Sequence, residues 1–399
     1  MKLLRTEIYG INSFKDETLI VDFTNSKRVY PEEIENREVF SIINNTYVFP
    51  VLAFLGINAT GKTTTLIMIR EMLSLYIQNE SLNFNSKFSH YISDSIRTVN
   101  YIYHDQFLYK IESNIEKDIK HERLYFTNEK LYRKKLTKSI ANKYLFDFSD
   151  EDLQLERHQN SSDQIHLSNF LKEEDSIFSS VLNQVQISKL MVQDLLDTTN
   201  LNFLSIYTNS IPISYIHYLD PSIEQFELID DEIKQGHSIK YRLKFYDQEE
   251  QYVVDFFNLE DYLSSGTIKG ISLLLKVGLT LQSGGYLIID EIENHLNKTI
   301  LLSVIHLFNS DLNKHGASLI FTTHYQEMVD DIARTDNIYI LRKKGKISCD
   351  RFSDILKEND RKDKIKSDLL MSGLLDTAPQ YEFYMKLKQD MKAMLEDQS

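Results

Sequence analysis

The sequence predicts an α/β protein in which helices flank a mostly parallel β-sheet. Near the start, an apolar run at residues 48–55, a glycine-containing loop and a helical pattern at residues 64–76 form a strand–loop–helix unit. Towards the end, strand and helix patterns alternate from residue 264 to residue 341. Because such alternation produces a parallel sheet covered on both faces, the two regions predict one sheet.

The other elements follow from composition and periodicity. Residues 3–9 and 18–23 are rich in β-favouring side chains and predict two antiparallel strands of an N-terminal β-subdomain. Residues 180–196 carry apolar side chains at helical spacing and predict an amphipathic helix. Further strands are predicted at 97–104, 107–112, 123–126, within 238–256, and at 286–289, 318–323 and 337–341, and helices at 264–281, 298–308 and 325–332.

The pattern of the sheet is interrupted between its two regions, so the simplest architecture is one core that carries an insertion. No Gly/Ser-rich or Pro-rich linker separates the parts. The predicted parts are an N-terminal core lobe at 1–77, an α/β insertion at 78–235 with strands and then mainly helices, a C-terminal core lobe at 236–350, and a helical tail at 351–399.

Composition and charge limit the class of protein. Of 399 residues, 42% are apolar and 26% charged, which is typical of a globular protein. The single cysteine, Cys349, excludes an internal disulfide, and neither a signal peptide nor an apolar span of roughly 20 residues is present. We therefore expect a cytoplasmic protein without a membrane contact. The net charge of −14 does not indicate nucleic-acid binding, although a local site remains compatible with it.

A local basic strip interrupts the acidic chain. It contains six cations and no acid: Lys130, Arg133, Lys134, Lys135, Lys138 and Lys143. A solvated surface face and a contact with nucleic acid or a protein partner both fit this pattern. A second basic run at residues 342–346 fits a hairpin turn between two strands.

The loop after residue 55 fits the phosphate-loop pattern G-x-x-x-x-G-K-[ST]. In such a loop, successive backbone N–H groups and the positive end of the following helix converge on a phosphate. Lys62 would contact the β- and γ-phosphates, and the Thr63 hydroxyl would bind Mg²⁺. The predicted nucleotide-binding residues are Gly56, Asn58, Ala59, Thr60, Gly61, Lys62, Thr63 and Thr64.

A second motif supplies two carboxylates. The apolar residues 286–289 are followed by Asp290 and Glu291, so a buried strand would deliver both acids to the carboxyl edge of the sheet. Asp290 would hold Mg²⁺ and Glu291 would polarise the attacking water. An ordinary strand that ends in a solvated acidic turn has the same pattern, but the phosphate loop favours the catalytic interpretation.

Two further motifs fit either a functional or an ordinary role. Ser264 stands before the helix that leads to the acidic pair, where it or Ser265 would cap the helix, and Gly266 would also permit close approach of a phosphate. His324 ends the predicted strand 318–323, from which it could reach a γ-phosphate. A histidine at a strand end is more often an ordinary polar residue.

The order of these motifs resembles that of the ATP-binding-cassette (ABC) ATPase heads. The order is a phosphate loop, an L-S-x-G-x segment before a helix, a strand with Asp-Glu, an E-N-x-L segment at 293–296 and a strand that ends in histidine. The resemblance implies that Ser264 and Gly266 contact ATP held by another protomer. It also implies that Glu291 is the catalytic carboxylate and that His324 is the switch histidine.

Within that class, the chain resembles the SMC/RecF/OLD branch, and in particular stand-alone OLD-related AAA-family ATPases of bacterial abortive-infection and anti-phage systems. The resemblance rests on Asn58 in G-x-N-x-x-G-K-T, the opening strand and the segment 264–267, where Ser265 and Thr267 differ from the Gly and the Gln or Glu usual in ABC ATPases. It covers residues 1–77 and 236–350. It implies ATP and Mg²⁺ as cofactors, a homodimer with ATP between the heads, and a sensor or switch that controls a separate effector nuclease or toxin.

Other functions stay open. A transporter nucleotide-binding subunit shares these motifs, but usually without the about 200 residues that separate Lys62 from Ser264 here. A RecF- or SMC-like DNA-repair ATPase would need nucleic-acid binding. An OLD nuclease would add a metal-binding D-x-D pair, and the one in this chain, Asp150-Glu151-Asp152, lies in an acidic stretch that we interpret as solvated surface. We expect an ATPase without a nuclease site, and a slow ATP-dependent switch would use the same residues.

Overall fold

The computed structural model describes residues 1–43, 45–84, 87–137, 142–158, 171–184, 190–196, 211–229, 239–294, 296–356, 366–371 and 381–396. The strands are β1 (Lys2–Tyr9), β2 (Thr18–Asp22), β3 (Phe40–Ile43), β4 (Thr46–Val48), β5 (Val51–Leu55), β6 (Ser95–His104), β7 (Phe107–Asp118), β8 (Arg123–Lys135), β9 (Leu153–His158), β10 (Val192–Leu195), β11 (Ile223–Leu228), β12 (Lys240–Phe245), β13 (Gln251–Asp255), β14 (Tyr286–Ile289), β15 (Ser318–Thr323), β16 (Ile338–Lys344) and β17 (Lys346–Arg351). The α-helices are α1 (Pro31–Glu35), α2 (Lys62–Tyr76), α3 (Phe178–Gln184), α4 (Ile213–Leu219), α5 (Ser265–Ser283), α6 (Lys298–Phe308), α7 (Phe352–Ile355), α8 (Lys366–Met371) and α9 (Tyr381–Glu396).

The central sheet has six strands in the order β10-β14-β15-β5-β16-β17. All neighbours pair in parallel except the β16–β17 hairpin. Strands β5, β14 and β15 are buried along their whole length because helices cover both faces. Side chains of β5 alternate between a core shared with α2 and a core shared with α5 and α6. The predicted parallel sheet flanked by helices is confirmed.

A second six-stranded sheet, in the order β2-β1-β6-β7-β8-β9, is antiparallel throughout. The predicted antiparallel pair at residues 3–9 and 18–23 is confirmed. Strand β1 also pairs with β6, which follows α2 in the chain. The predicted division at residue 77 therefore passes through a single sheet. A smaller antiparallel sheet, β11-β12-β13, shares a separate core with the first turns of α5.

The predicted helix at residues 180–196 is wrong at residues 192–195, which form a strand. Helix α3 ends at Gln184, and β10 is an edge strand that pairs in parallel with β14. Strand pairing overrides the helical spacing of the apolar residues here, because the outer edge of β14 would have unpaired backbone N–H and C=O groups without β10. The predicted helical positions Val185 and Ile187 lie outside the described residues.

Two other predictions change in detail. The apolar run 48–55 is divided into β4 and β5 because Pro50 has no N–H to donate to a ladder. The segment predicted as a helix at 325–332 is a short 3₁₀ helix, Gln326–Asp331. The basic run at 342–346 forms the predicted hairpin, with Gly345 at φ 78° in its turn.

The described part of the basic strip is engaged within the antiparallel sheet. Lys130 lies 3.0 Å from the Glu156 carboxylate, and the Arg133 guanidinium lies 3.7 Å from the centre of the Phe107 ring. Lys134 donates to a backbone carbonyl of the neighbouring loop. These contacts favour a structural role for the strip, while Lys138 lies outside the described residues. Within those residues, no helix is both long enough and apolar enough to cross a bilayer.

The pairing of β10 with β14 depends on Gly285. A Cβ at this position would lie 1.9 Å from the Met191 carbonyl oxygen, and that same oxygen accepts the hydrogen bond of the Tyr286 N–H. The backbone approach that starts the ladder therefore leaves no room for a side chain.

We expect Gly285→Ala to lower the free energy of unfolding by about 2 kcal/mol or more, because the methyl group would push β10 away from β14. Urea denaturation measures the change. Gly278→Ala in α5 is the matched control, since its nearest contact is the mobile end of Tyr215 at 3.2 Å. Equal stability of the Gly285→Ala variant and the wild type would contradict the strand pairing.

Candidate functional site

The phosphate loop lies between β5 and α2, where the sequence predicts it. Gly61 precedes α2 with φ 90°, and a Cβ there would lie 2.4 Å from the Ile347 side chain. A Cβ at Gly56 would lie 2.5 Å from Thr60 Oγ1 and 2.6 Å from the Leu341 carbonyl oxygen. Both glycines are therefore required by close packing against β16 and β17.

Lys62 lies over the loop and is 6% exposed. Its Nζ donates to the carbonyl oxygens of Gly56 at 2.9 Å and Ile57 at 3.1 Å. Burial lowers the pKa of Lys62, and the nearby carboxylates, Glu291 first among them, oppose that shift. Two backbone carbonyl groups of the phosphate loop thus hold the ammonium.

Thr63 and Asp290 are in direct contact. Thr63 Oγ1 donates to Asp290 Oδ2 at 2.5 Å, and Thr322 Oγ1 donates to Asp290 Oδ1 at 2.5 Å. The strand order places β14 two positions away from β5, with β15 between them, so Thr322 bridges from the middle strand. A hydroxyl and a carboxylate are hard oxygen ligands, and this pair fits Mg²⁺.

Glu291 is held by three groups. Its backbone has φ 47°, a left-handed conformation that is uncommon for glutamate, and its N–H donates to Thr322 Oγ1 at 2.7 Å. Its carboxylate accepts from Asn294 Nδ2 at 2.9 Å and contacts His324 Nε2 at 3.1 Å. The hydrogen bond from His324, followed by that from Asn294, lowers the pKa of Glu291. The carboxylate is therefore ionised at neutral pH and directed by its neighbours.

His324 connects the phosphate loop to the acidic pair. Its Nδ1 lies 3.3 Å from Lys62 Nζ, and its backbone N–H donates to Glu293 Oε1. Because an ammonium can only donate, Nδ1 accepts from Lys62, and Nε2–H then donates to Glu291. The geometry therefore defines a neutral tautomer and a continuous chain from Lys62 through His324 to Glu291.

Glu291 and His324 line a cavity of about 630 Å³, which is large enough for a small-molecule ligand. Contributions come from the phosphate loop, the ends of β14 and β15, the 3₁₀ helix and the tail helix α8. The lining residues are Leu55, Gly56, Ile57, Asn58, Glu291, Thr323, His324, Gln326 and Leu370.

Ser264 and Gly266 lie at the start of α5 and are not among the residues that line this cavity. Ser264 Oγ accepts from the Thr267 N–H at 3.0 Å, so the capping role predicted for Ser264 is present. The Ser264 side chain is exposed. Their contact with a nucleotide of another protomer stays a prediction.

Sequence reasoning missed several contributors to the site, among them three residues that no recognised motif contains. Thr322 supports both acids, Gln326 lines the cavity, and Leu370 reaches it from the C-terminal tail. Thr322 carries one signal, since it is a polar residue that directly follows the apolar run 319–321 and precedes His324 by two positions. The sequence contains no comparable signal for Leu370, because its position depends on how the tail packs.

A phosphate loop between a strand and a helix, with an Asp-Glu pair at the end of the next strand but one, defines the P-loop nucleoside-triphosphatase fold. The chain belongs to the family described as "AAA domain, putative AbiEii toxin, Type IV TA system", whose model matches residues 51–330. That match includes the phosphate loop, both acids and His324. No curated protein is significantly similar to the chain in sequence.

Two solved structures of SMC heads are similar at 11% sequence identity. One is the Smc head bound to the C-winged helix domain of ScpA, with a TM-score of 0.43 over 89% of this chain and 99% of that chain. The other is the SMC head domain from Thermotoga maritima, with a TM-score of 0.40 over 88% of this chain and 99% of that chain. The fold assignment rests on the strand order described above.

The double role of the Thr322 hydroxyl generates a prediction about magnesium. Thr322→Val keeps the shape of the fully buried side chain but removes the donor to Asp290 and the acceptor for Glu291. We expect the Mg²⁺ concentration needed for half-maximal magnesium-dependent nucleotide binding to rise about 10- to 100-fold. Titration of a fluorescent nucleotide at varied Mg²⁺ measures it.

Thr322→Ser retains the hydroxyl and should bind Mg²⁺ nearly as the wild type does. Thr6→Val is the matched control, because Thr6 is also fully buried and its hydroxyl donates to Asn100 Oδ1 at 2.7 Å in the antiparallel sheet. The same Mg²⁺ dependence in Thr322→Val and Thr6→Val would refute the bridging role of Thr322.

Proposed function

We propose that this chain binds and hydrolyses ATP, with Glu291 as the catalytic carboxylate and His324 as the switch histidine. The observation that carries the proposal is the hydrogen-bonded chain Lys62–His324–Glu291 beside the Thr63–Asp290 pair. It brings together a cation for phosphate, a pair of magnesium ligands and an ionised base, and Glu291 and His324 of this group line the cavity. Phosphoryl transfer requires these three functions in this proximity.

Binding begins at the phosphate loop. The backbone N–H groups of the predicted nucleotide-binding residues 58–64 and the positive end of α2 would bind the phosphate oxygens. Lys62 would move its Nζ from the carbonyls of Gly56 and Ile57 to the β- and γ-phosphates. Thr63 and Asp290 would hold Mg²⁺, which neutralises charge on the phosphates when it is bound.

Hydrolysis then depends on the orientation of Glu291. Its ionised carboxylate, held by Asn294 and His324, would accept a hydrogen bond from the attacking water and polarise it. When Lys62 turns to the phosphates, Nδ1 of His324 loses its contact with Lys62, so the imidazole can change its position relative to Glu291. His324 would thus report the presence of the γ-phosphate to Glu291.

Lys62→Ala and Glu291→Gln separate binding from turnover. We expect Lys62→Ala to abolish or severely weaken ATP binding, because the cation that meets the phosphates is lost. Glu291→Gln should bind ATP but hydrolyse it at least roughly 100-fold more slowly, because an amide is no base. Calorimetric titration and steady-state phosphate release measure the two effects. Wild-type affinity in the first variant, or wild-type turnover in the second, would refute the site.

We further propose that the active form is a homodimer in which Ser264 and Gly266 of one head contact ATP on Lys62 of the other. Support comes from the exposed Ser264 side chain at the start of the 19-residue helix α5, where unpaired N–H groups attract anions. This arrangement uses the L-S-x-G-x segment without requiring it to reach the cavity of its own head.

Mixing two inactive proteins tests the dimer. Lys62→Ala protein and Ser264→Arg protein should each lack ATPase activity, whereas their mixture should recover part of it through dimers with one intact composite site. The control is a mixture of two Lys62→Ala preparations, which has no intact site. Absence of recovery after demonstrated exchange of subunits would exclude the shared site.

The biological role we propose is the sensor or switch of a bacterial anti-phage, abortive-infection system of OLD-related type. The family description names a toxin and a type IV toxin–antitoxin system, which supports such a context. The switch would act on a separate effector nuclease or toxin, whose binding would differ between nucleotide states. Co-purification of neighbouring gene products with wild-type and Glu291→Gln protein tests this role. If a neighbouring protein binds equally well with and without ATP, the switch is excluded.

A further inference from the structure

One wall of the cavity comes from the C-terminal tail. Leu370 of α8 lines the cavity and is fully buried. It belongs to the same core cluster as Met328, Val329 and Ile332, which lie in and just after the 3₁₀ helix Gln326–Asp331. The tail is thus packed onto the segment that follows His324, although no nucleotide-binding motif lies in it.

Lys366 fixes the C-terminal end of that 3₁₀ helix. Its Nζ donates to the carbonyl oxygens of Val329 at 3.3 Å, Ala333 at 3.2 Å and Ile332. The Val329 carbonyl also accepts from the Ile332 N–H at 3.2 Å, and Ile332 and Ala333 directly follow the helix. The ammonium therefore binds carbonyl groups in and just after the last turn, where it opposes the negative end of the helix. Burial lowers the pKa of Lys366, and the carboxylates of Asp330, Glu38 and Asp331 oppose that shift.

Ser367 fixes the side of the same helix. Its backbone N–H donates to Asp330 Oδ1 at 3.1 Å, and its hydroxyl donates to Asp330 Oδ2 at 2.5 Å. Two consecutive residues of α8 therefore hold the 3₁₀ helix at two points, and the buried Leu370 adds an apolar contact. One isolated packing contact would leave the helix free to rotate, but three different contacts do not.

The 3₁₀ helix leads directly to the switch histidine. It begins two residues after His324, and its first residue, Gln326, lines the cavity. Met328 Sδ accepts from Thr323 Oγ1 at 3.6 Å, which joins the middle of the helix back to the end of β15. A displacement of the helix would therefore move the backbone on both sides of His324.

We propose that α8 is a clamp on the segment after His324, and that Lys366 and Ser367 are positioning residues for the γ-phosphate end of the nucleotide site. The inference rests on the proposed ATP-binding function. Through the clamp, the tail sets how well the site distinguishes ATP from ADP, because the proposed switch histidine responds to the γ-phosphate, which ADP lacks. A purely structural α8 would change stability without changing this discrimination.

The experiment compares Lys366→Met with Lys388→Met, an exposed lysine in helix α9 of the same tail. Methionine keeps the unbranched apolar stem and removes the charge. In the Glu291→Gln background, which prevents turnover, we expect Lys366→Met to weaken ATP binding about tenfold and to leave ADP binding unchanged. Lys388→Met should bind both nucleotides as the parent does. An equal loss for ATP and ADP, or no loss, would overturn the clamp.

A double variant tests the route through His324. His324→Ala should lower ATP affinity alone, and adding Lys366→Met to it should cause little further loss, because both changes disable the same contact. Additive losses would overturn the proposed route. If Lys366→Met does not fold, Ser367→Ala removes a single hydroxyl and should show the same selective effect at a few-fold.

The failure of the clamp is distinguishable from the failure of the proposed function. If the parent protein binds neither ATP nor ADP in the titration, the ATPase proposal is wrong. If the parent binds ATP more tightly than ADP and Lys366→Met retains that preference, only the clamp is wrong. Thermal unfolding of each variant establishes that the comparison is made between folded proteins.

Discussion

One threonine hydroxyl holds together side chains from three separate parts of the chain. Thr322 Oγ1 donates to Asp290, which accepts from Thr63 of the phosphate loop, and the same oxygen accepts from the N–H of Glu291. A buried carboxylate needs such partners, since an unsatisfied one costs about 1–3 kcal/mol or more. The left-handed backbone at Glu291 also persists only because its surroundings fix it. The site is therefore a single hydrogen-bonded unit and not a collection of separate motifs.

The charges of this unit explain why it would need a metal. One buried ammonium, that of Lys62, lies among the carboxylates of Asp290, Glu291 and Glu293. A triphosphate that entered alone would bring further negative charge to a site that already holds three acids and one base. Repulsion of this kind is relieved by a divalent cation on the acid nearest the phosphates. The Thr63–Asp290 pair is the point where the structure offers such a cation two oxygen ligands.

The parts of the molecule that depend on local pattern were predictable, and those that depend on tertiary packing were not. Gly56, Lys62 and Asp290 belong to short motifs whose spacing is fixed by phosphate and metal binding. The sequence alone therefore predicts that Gly56 follows β5, that Lys62 lies at the start of α2 and that Asp290 follows β14, as the structure shows. Strand β10 has helical apolar spacing, and only the unpaired edge of β14 decides its conformation. Leu370 lies far along the chain from the other lining residues, and no periodicity links it to them. The domain boundaries and the trans role of Ser264 remain predictions for the same reason.

The position of β10 gives the insertion a structural role in the central sheet. Strand β10 pairs with β14, the strand that precedes both acids. It is attached to α2 by Arg70–Asp194 at 3.2 Å, and to the segment just after α2 by Gln78 Nε2, which donates to the Val192 carbonyl at 3.2 Å. Without it, the outer edge of the buried strand β14 would be open to any other chain with a free edge. A shortened protein made by joining the two core lobes would thus keep every predicted nucleotide-binding motif and yet expose an unpaired strand edge that promotes aggregation. Among the described residues, the insertion therefore supplies the strand that pairs with the outer edge of β14.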